Sequence, residues 1–359
     1  MFIPPALLLN LVGGALFFYI CTRLLEPFWQ QTPQPVKERL AFVDFLKGAS
    51  IAAVVLLHAV NLYPQYMWIQ DYLWFAVPLF IFCTGYLLAR KYPQEGNEKK
   101  YYSGMLLRIV IPYLLYAALN EVAVGFAQNG GLLPAKEIVL NVLLGMYNGG
   151  NLYFIPLIMQ LYLIYPIARK MQQKMPAWLF VCIAVAFSIG VKWFDDAAQA
   201  GGWNSDPVSL VFFGRYFFFF AAGMYLAHMK YDAREATSGR FAAMGALCLL
   251  LILAKQALYL GYAYFYPLAI LAFAYAAFEV LGKVPLGKNA ASLVRVAGEN
   301  SYAIYIFHAP FIYELRLMGA GWGWGGLAVA CTAALIGGIM ISKAAGKLVR
   351  LLKNAKRQA

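Results

Sequence analysis

The sequence predicts an all-α protein, a polytopic bundle of about eleven transmembrane helices, and three observations carry that expectation. Of its 359 residues 62% are apolar, 16% aromatic and only 13% charged, a balance suited to a membrane bundle rather than a water-soluble core. The apolar residues recur in stretches of roughly 17–22, each long enough to cross a ~30 Å hydrocarbon layer. Short polar loops separate the stretches and leave no room for a soluble domain between them. The formal charge of +13 does not point to nucleic acid, because the basic residues stand singly or in pairs beside apolar runs, as topology signals do.

In chain order, spans are expected near residues 4–22, 45–63, 72–89, 109–127, 151–168, 177–193, 208–228, 241–257, 264–282, 300–317 and 325–342. The first lacks a basic leader and is followed by Thr22-Arg23 rather than a small-residue cleavage site, so it reads as a retained helix. Of the 29 Lys and Arg residues, 24 fall in alternate connections, leaving Lys136, Lys192, Arg215, Lys255 and Arg316 on the other side or in outer helix halves. The positive-inside rule then puts the N-terminus outside, the C-terminus in the cytoplasm, and runs the helices bearing His58 and His308 from inside to outside.

Residues 128–150 break the pattern. Glu137–Tyr147 is apolar but too short to span and leads into Asn148-Gly-Gly-Asn151, the signature of an interfacial or re-entrant helix on the outer face. Residues 195–206 read as an outer loop over a pocket mouth, and Trp178, Trp193, Trp322 and Trp324 as an interfacial aromatic belt. The five cysteines, Cys21, Cys83, Cys182, Cys248 and Cys331, are scattered one per stretch, without the spacing of a metal or disulfide framework. No metal is expected. The chain divides into an N-terminal helix and linker (1–40), a membrane domain (41–342) and a basic cytoplasmic tail (343–359).

The residues that carry chemistry are those that are costly in an apolar setting. In Asp44-Phe-Leu-Lys47-Gly, followed by an apolar run ending on His58, the eleven-residue spacing sets Lys47 and His58 within ~20° of one helix face and roughly 16 Å apart. With Lys47 at the membrane edge, His58 lies near the midplane, where an ionisable side chain marks a functional site. A neutral imidazole there suits a general base. His308 is the second intramembrane histidine, about 12 Å in from the inner edge; His228 reads as interfacial. Asn120, Glu121, Arg215, Lys255, Glu314 and Arg316 gather in outer helix halves, and Lys47, Arg90, Lys91 and Arg108 form a basic inner mouth fit for a phosphorylated ligand.

These residues resemble a known family. Asp44-Phe-Leu-Lys47-Gly with His58 is similar to the first motif of the integral-membrane acyltransferase family 3, an acidic residue, then Arg-Gly, then a histidine with ten residues between it and the arginine. The resemblance continues through Pro78-Leu-Phe-Ile-Phe-Cys-Thr-Gly85-Tyr, Leu107-Arg108-Ile-Val-Ile-Pro112-Tyr, Asn151-Leu-Tyr-Phe-Ile-Pro156, Phe219-Phe-Ala-Ala-Gly223-Met and Ser301-Tyr-Ala-Ile-Tyr-Ile-Phe-His308-Ala-Pro310, covering roughly residues 40–342. Two departures stand out: Lys47 replaces the arginine and lacks its bidentate fork, and one helix precedes the ten-helix core.

The resemblance implies a membrane O-acyltransferase that moves an acyl group, acetyl or else succinyl, from cytoplasmic acyl-coenzyme A to a hydroxyl of an extracytoplasmic polysaccharide or lipid-linked glycan. His58 would be the essential histidine, with Asp44 and Glu121 beside it in the catalytic set. Lys47, Arg108 and Arg90 would hold the donor, and Arg215, His308 and Asn151 the acceptor. The expected setting is the bacterial inner membrane, among lipids, glycan and polysaccharide synthesis or export proteins. No appended esterase-like domain is expected, so transfer would use this domain alone or a separate partner. Two other readings stay open: a proton-coupled transporter or glycan exporter using His58, Glu121 and His308, which the lack of internal repeats and of paired broken helices disfavours, and a non-catalytic partner of a polysaccharide synthase.

Overall fold

The computed structural model describes residues 41–96, 98–145, 152–203, 208–228, 288–319 and 323–358. Segment 1–40, the spans expected near 241–257 and 264–282, and Asn151 lie outside the described residues. The helices run in the order α1 (Ala41–Val60), α2 (Ala76–Lys91), α3 (Glu98–Met105), α4 (Ile111–Asn129), α5 (Ala135–Leu144), α6 (Phe154–Lys174), α7 (Ala177–Ala200), α8 (Phe217–His228), α9 (Lys288–Glu299), α10 (Ser301–Gly319) and α11 (Gly323–Gln358). Short helical turns cover Pro64–Ile69, Gln70–Leu73, Val208–Val211 and Phe213–Arg215. No strand occurs among the described residues.

The bundle is built around α1, which packs on α2, α9, α10 and α11. Its span Val43–Val60 is 67% buried, against 17% for Ala177–Ala200. The first is therefore a central helix and the second a rim helix, whose exposed Ile183, Phe187, Trp193 and Phe194 suit contact with lipid. By length and composition four described segments can cross a membrane: Val43–Val60, Glu98–Val122, Ala177–Ala200 and Gly323–Ala344, with Phe217–His228 apolar but shorter. The apolar α2 has 16 residues. Helices α6 and α10 turn polar groups such as Gln160, Tyr162, Ser301, Tyr302 and His308 toward neighbouring helices.

Two crossings bring backbones together. A Cβ on Gly48 of α1 would meet the Val294 carbonyl oxygen at 1.7 Å, and one on Gly298 of α9 would meet the Asp44 carbonyl oxygen at 1.6 Å. Likewise Gly85 of α2 faces the Phe220 carbonyl and Gly223 of α8 the Phe82 carbonyl. Small residues on both partners allow the close van der Waals approach that drives helix association in lipid, where the hydrophobic effect is absent.

Several elements differ from the sequence expectation. The span expected at 109–127 is the second part of a helix that begins at Glu98, with α3 and α4 joined by a π-helical turn, Leu106–Val110. Pro112 has no N–H for the residue one turn earlier, and the π turn accommodates that loss without ending the helix. The span expected at 208–228 is broken: Val208–Val211 and Phe213–Arg215 precede α8, with Phe212 extended between them. Side chains satisfy the freed backbone. Gln160 Nε2 donates to the Val211 carbonyl (2.9 Å) and its Oε1 accepts from Phe213 N–H (3.3 Å), while Ser188 Oγ donates to the Gly214 carbonyl (2.7 Å). Such compensation is what irregular backbone at membrane depth requires. Helix α7 runs on to Ala200, into the stretch expected as a loop from 195. The amphipathic α9 was not foreseen, and α11 continues as helix past 343 to Gln358. The short helix expected at 137–147 is α5, ended by Gly145 in the left-handed region (φ 65°).

Candidate active site

A cavity of about 220 Å³ lies between α1, α2, α6, α10 and the π-helical turn. Lys47 and Arg108 are the charged members of its wall, and Thr84, Tyr162, Ser301, Tyr302 and Tyr305 add hydroxyls to an otherwise apolar lining. On α1 the lining residues are Lys47, Ile51 and Val54, a helical i, i+4, i+7 stripe whose next member is His58. Lys47 Nζ stands 5.8 Å from the Phe80 ring centroid, within cation–π range. Opposite it the π turn presents both Arg108 and Ile109 to the cavity, and the Ile109 carbonyl accepts the Tyr302 hydroxyl at 2.9 Å. The π turn thus aims the cation and anchors α10.

One turn beyond Val54, the half-buried His58 meets His308 of α10. Their ring centroids are 4.9 Å apart with planes at 42°. His308 is fully buried; its Nδ1 lies 2.6 Å from the Tyr305 carbonyl oxygen, and its Nε2 has no hydrogen-bond partner among the described residues. Tyr305 is itself tied across the bundle, its hydroxyl accepting from the Phe154 N–H of α6 at 3.3 Å. The arrangement is a cavity with two cations in its wall and, one turn past its last lining residue on α1, His58 paired with His308 of α10.

The remaining candidates sit apart from the cavity. Asp44 is buried on α1 at the α9 crossing. Glu121 is buried on α4 and accepts from Asn141 Nδ2 of α5 at 3.1 Å, a link between two helices. Arg90 is exposed and donates to the Tyr86 hydroxyl at 3.3 Å. Arg215 is half-buried in the turn before α8. None of these four lines the cavity. Sequence reasoning did not single out Tyr302 and Tyr305, although their spacing of three, with His308 three further on, was the signal that α10 turns one polar face inward. Among the described residues no cluster of three or more His, Cys, Asp or Glu is placed to hold a metal.

The family profile described as an acyltransferase domain, of the third acyltransferase family, matches residues 40–343. The chain belongs to acyltransferase family 3. Over 165 residues it is 30% identical to YfiQ of Bacillus subtilis (strain 168), a protein named as a membrane-bound acyltransferase. That match takes in 43% of the chain and 43% of the relative, so it spans less than half the length of the curated relative. No solved structure matches the chain. This acyltransferase family 3 member thus carries Lys47, Gly48 and His58 on its central helix, one of four described segments long and apolar enough to cross a membrane. Gly48 has a structural reason of its own: only glycine admits α9 beside Lys47.

Proposed function

We propose that the protein transfers an acyl group, acetyl first and succinyl second, from cytoplasmic acyl-coenzyme A to a hydroxyl of an extracytoplasmic polysaccharide or lipid-linked glycan in the bacterial inner membrane. One observation carries the reading: the α1 stripe that lines the cavity from Lys47 through Val54 leads to the His58–His308 pair. A small, mostly apolar cavity of about 220 Å³ suits the thioester arm of the donor better than its nucleotide, and Lys47 and Arg108 suit the phosphates that precede that arm.

In this mechanism His58 accepts the proton of the acceptor hydroxyl as its oxygen attacks the thioester carbonyl carbon. The O–C bond forms, the C–S bond breaks, and His58 returns the proton to the departing thiolate. Holding donor and acceptor at the two ends of one cavity supplies orientation that free collision lacks. Asp44, Glu121, Arg90 and Arg215 serve the packing and the mouths of the bundle rather than the reacting atoms.

The test uses purified full-length protein in proteoliposomes with labelled acetyl-coenzyme A and a glycan or lipid-linked acceptor. His58→Ala should lower turnover by about 100- to 10,000-fold while the melting profile stays close to wild type. A folded, active His58→Ala protein would refute the assignment of the base, and proton-coupled flux without thioester consumption would favour a transporter.

A further inference from the structure

We propose that His308 is a positioning residue for His58: its Nε2 accepts the hydrogen bond of the His58 N–H and so fixes which His58 nitrogen faces the acceptor hydroxyl. This deepens, and rests on, the reading of His58 as the base. The Tyr305 carbonyl oxygen, 2.6 Å from His308 Nδ1, can only accept, so Nδ1 carries the proton and Nε2 of the neutral ring carries the lone pair. That lone pair is buried with no hydrogen-bond partner among the described residues. The imidazole beside it is His58, with centroids 4.9 Å apart, close enough for ring rotation to bring a nitrogen of each to hydrogen-bond distance.

A general base needs its second nitrogen held by an acceptor, or its two tautomers divide the population and only one is productive. On α1 the nearest carboxylate toward the N-terminus, Asp44, is fourteen residues before His58, roughly 21 Å along the helix, too far to do this. The chain that does it runs from Phe154 N–H to the Tyr305 hydroxyl, and from the Tyr305 carbonyl to His308. During transfer the hydroxyl proton moves to the free nitrogen of His58, the ester O–C bond forms, the C–S bond breaks, and the same proton leaves on the thiolate. The His58 N–H that donates to Nε2 of His308 is retained throughout, so the pair gains and loses no net proton.

The chain has three histidines, which makes nitrogen-15 NMR of histidine-labelled, full-length protein in lipid nanodiscs a direct test. Single-histidine substitutions supply the assignments. His58 should show one dominant tautomer in the wild type, a mixture in His308→Leu, and one tautomer again in His308→Gln, whose amide oxygen replaces the Nε2 lone pair. In the acyl-transfer assay His308→Leu should lower kcat about 10- to 100-fold with the donor KM within about twofold, and His308→Gln should recover most of the loss. An unchanged His58 tautomer in His308→Leu overturns the proposal, whatever the activity. A tautomer change in a protein that acylates no glycan overturns the transferase reading of the site instead.

Discussion

Replacing Gly298 by alanine is a direct test of how the site is held. A methyl group there would sit 1.6 Å from the Asp44 carbonyl oxygen, and real Cβ contacts essentially never fall below 3.0 Å, so α1 and α9 must part by about 1.4 Å. The obstructing atom is helix backbone, which cannot swing aside as a side chain does. Overpacking of this kind costs about 3 kcal/mol, the upper part of its usual range, and the helix-propensity gain of alanine over glycine returns about 1 kcal/mol. The net expectation is a loss of about 2 kcal/mol. Gly104 on α3 is the matched control: a Cβ there meets nothing within 4 Å, so Gly104→Ala retains only the propensity gain. The two variants should shift the unfolding temperature in opposite directions, read by intrinsic fluorescence in nanodiscs at a single scan rate. Because Lys47 lies next to Gly48 at the crossing, Gly298→Ala should also weaken donor binding. A Gly298→Ala protein that melts at or above wild type would refute the close crossing and with it the account of Gly48.

Two further outcomes are expected. Lys47→Ala should raise the donor KM by roughly 10- to 100-fold, the loss of a charge-assisted contact of about 1.5–3 kcal/mol, whereas Lys47→Arg should bind at least as well as wild type; donor KM at saturating acceptor is the measurement, and an unchanged value in Lys47→Ala sinks the role. Asn141→Leu removes the hydrogen bond to the buried Glu121 and should cost about 1–3 kcal/mol, while Glu121→Gln keeps an acceptor for Asn141 and should melt near wild type with normal turnover. Loss of turnover in a stable Glu121→Gln protein would instead return Glu121 to the catalytic set.

The pattern of what could be read in advance has a physical origin. An ionisable residue in an apolar helix is expensive wherever it occurs, so Lys47, His58 and His308 announce themselves locally. What offsets the expense is distant in sequence and leaves no local mark. Gly48 and Gly298 meet across 250 positions, and neither sequence neighbourhood differs from that of any other glycine in a helix. Glu121 stands out in the sequence for the same reason as His58, and only the fold shows that Asn141 donates a hydrogen bond to it. Amphipathic α9 escaped notice because it is short and of near-neutral mean hydropathy, outside any spanning template.

The prolines make the point most sharply, since each removes a donor whose absence must be made good somewhere. Pro112 is absorbed by the π turn that aims Arg108 into the cavity. Pro166, inside α6, leaves the Tyr162 carbonyl one turn earlier without its helical partner, and the Tyr101 hydroxyl of α3 fills that place at 2.6 Å. Sequence marks the vacancy at residue 162, but only tertiary structure can name residue 101 as its occupant. The same division separates the two parts of the candidate site: the imidazoles are visible one by one in the sequence, and their pairing belongs to the packing of α10 against α1.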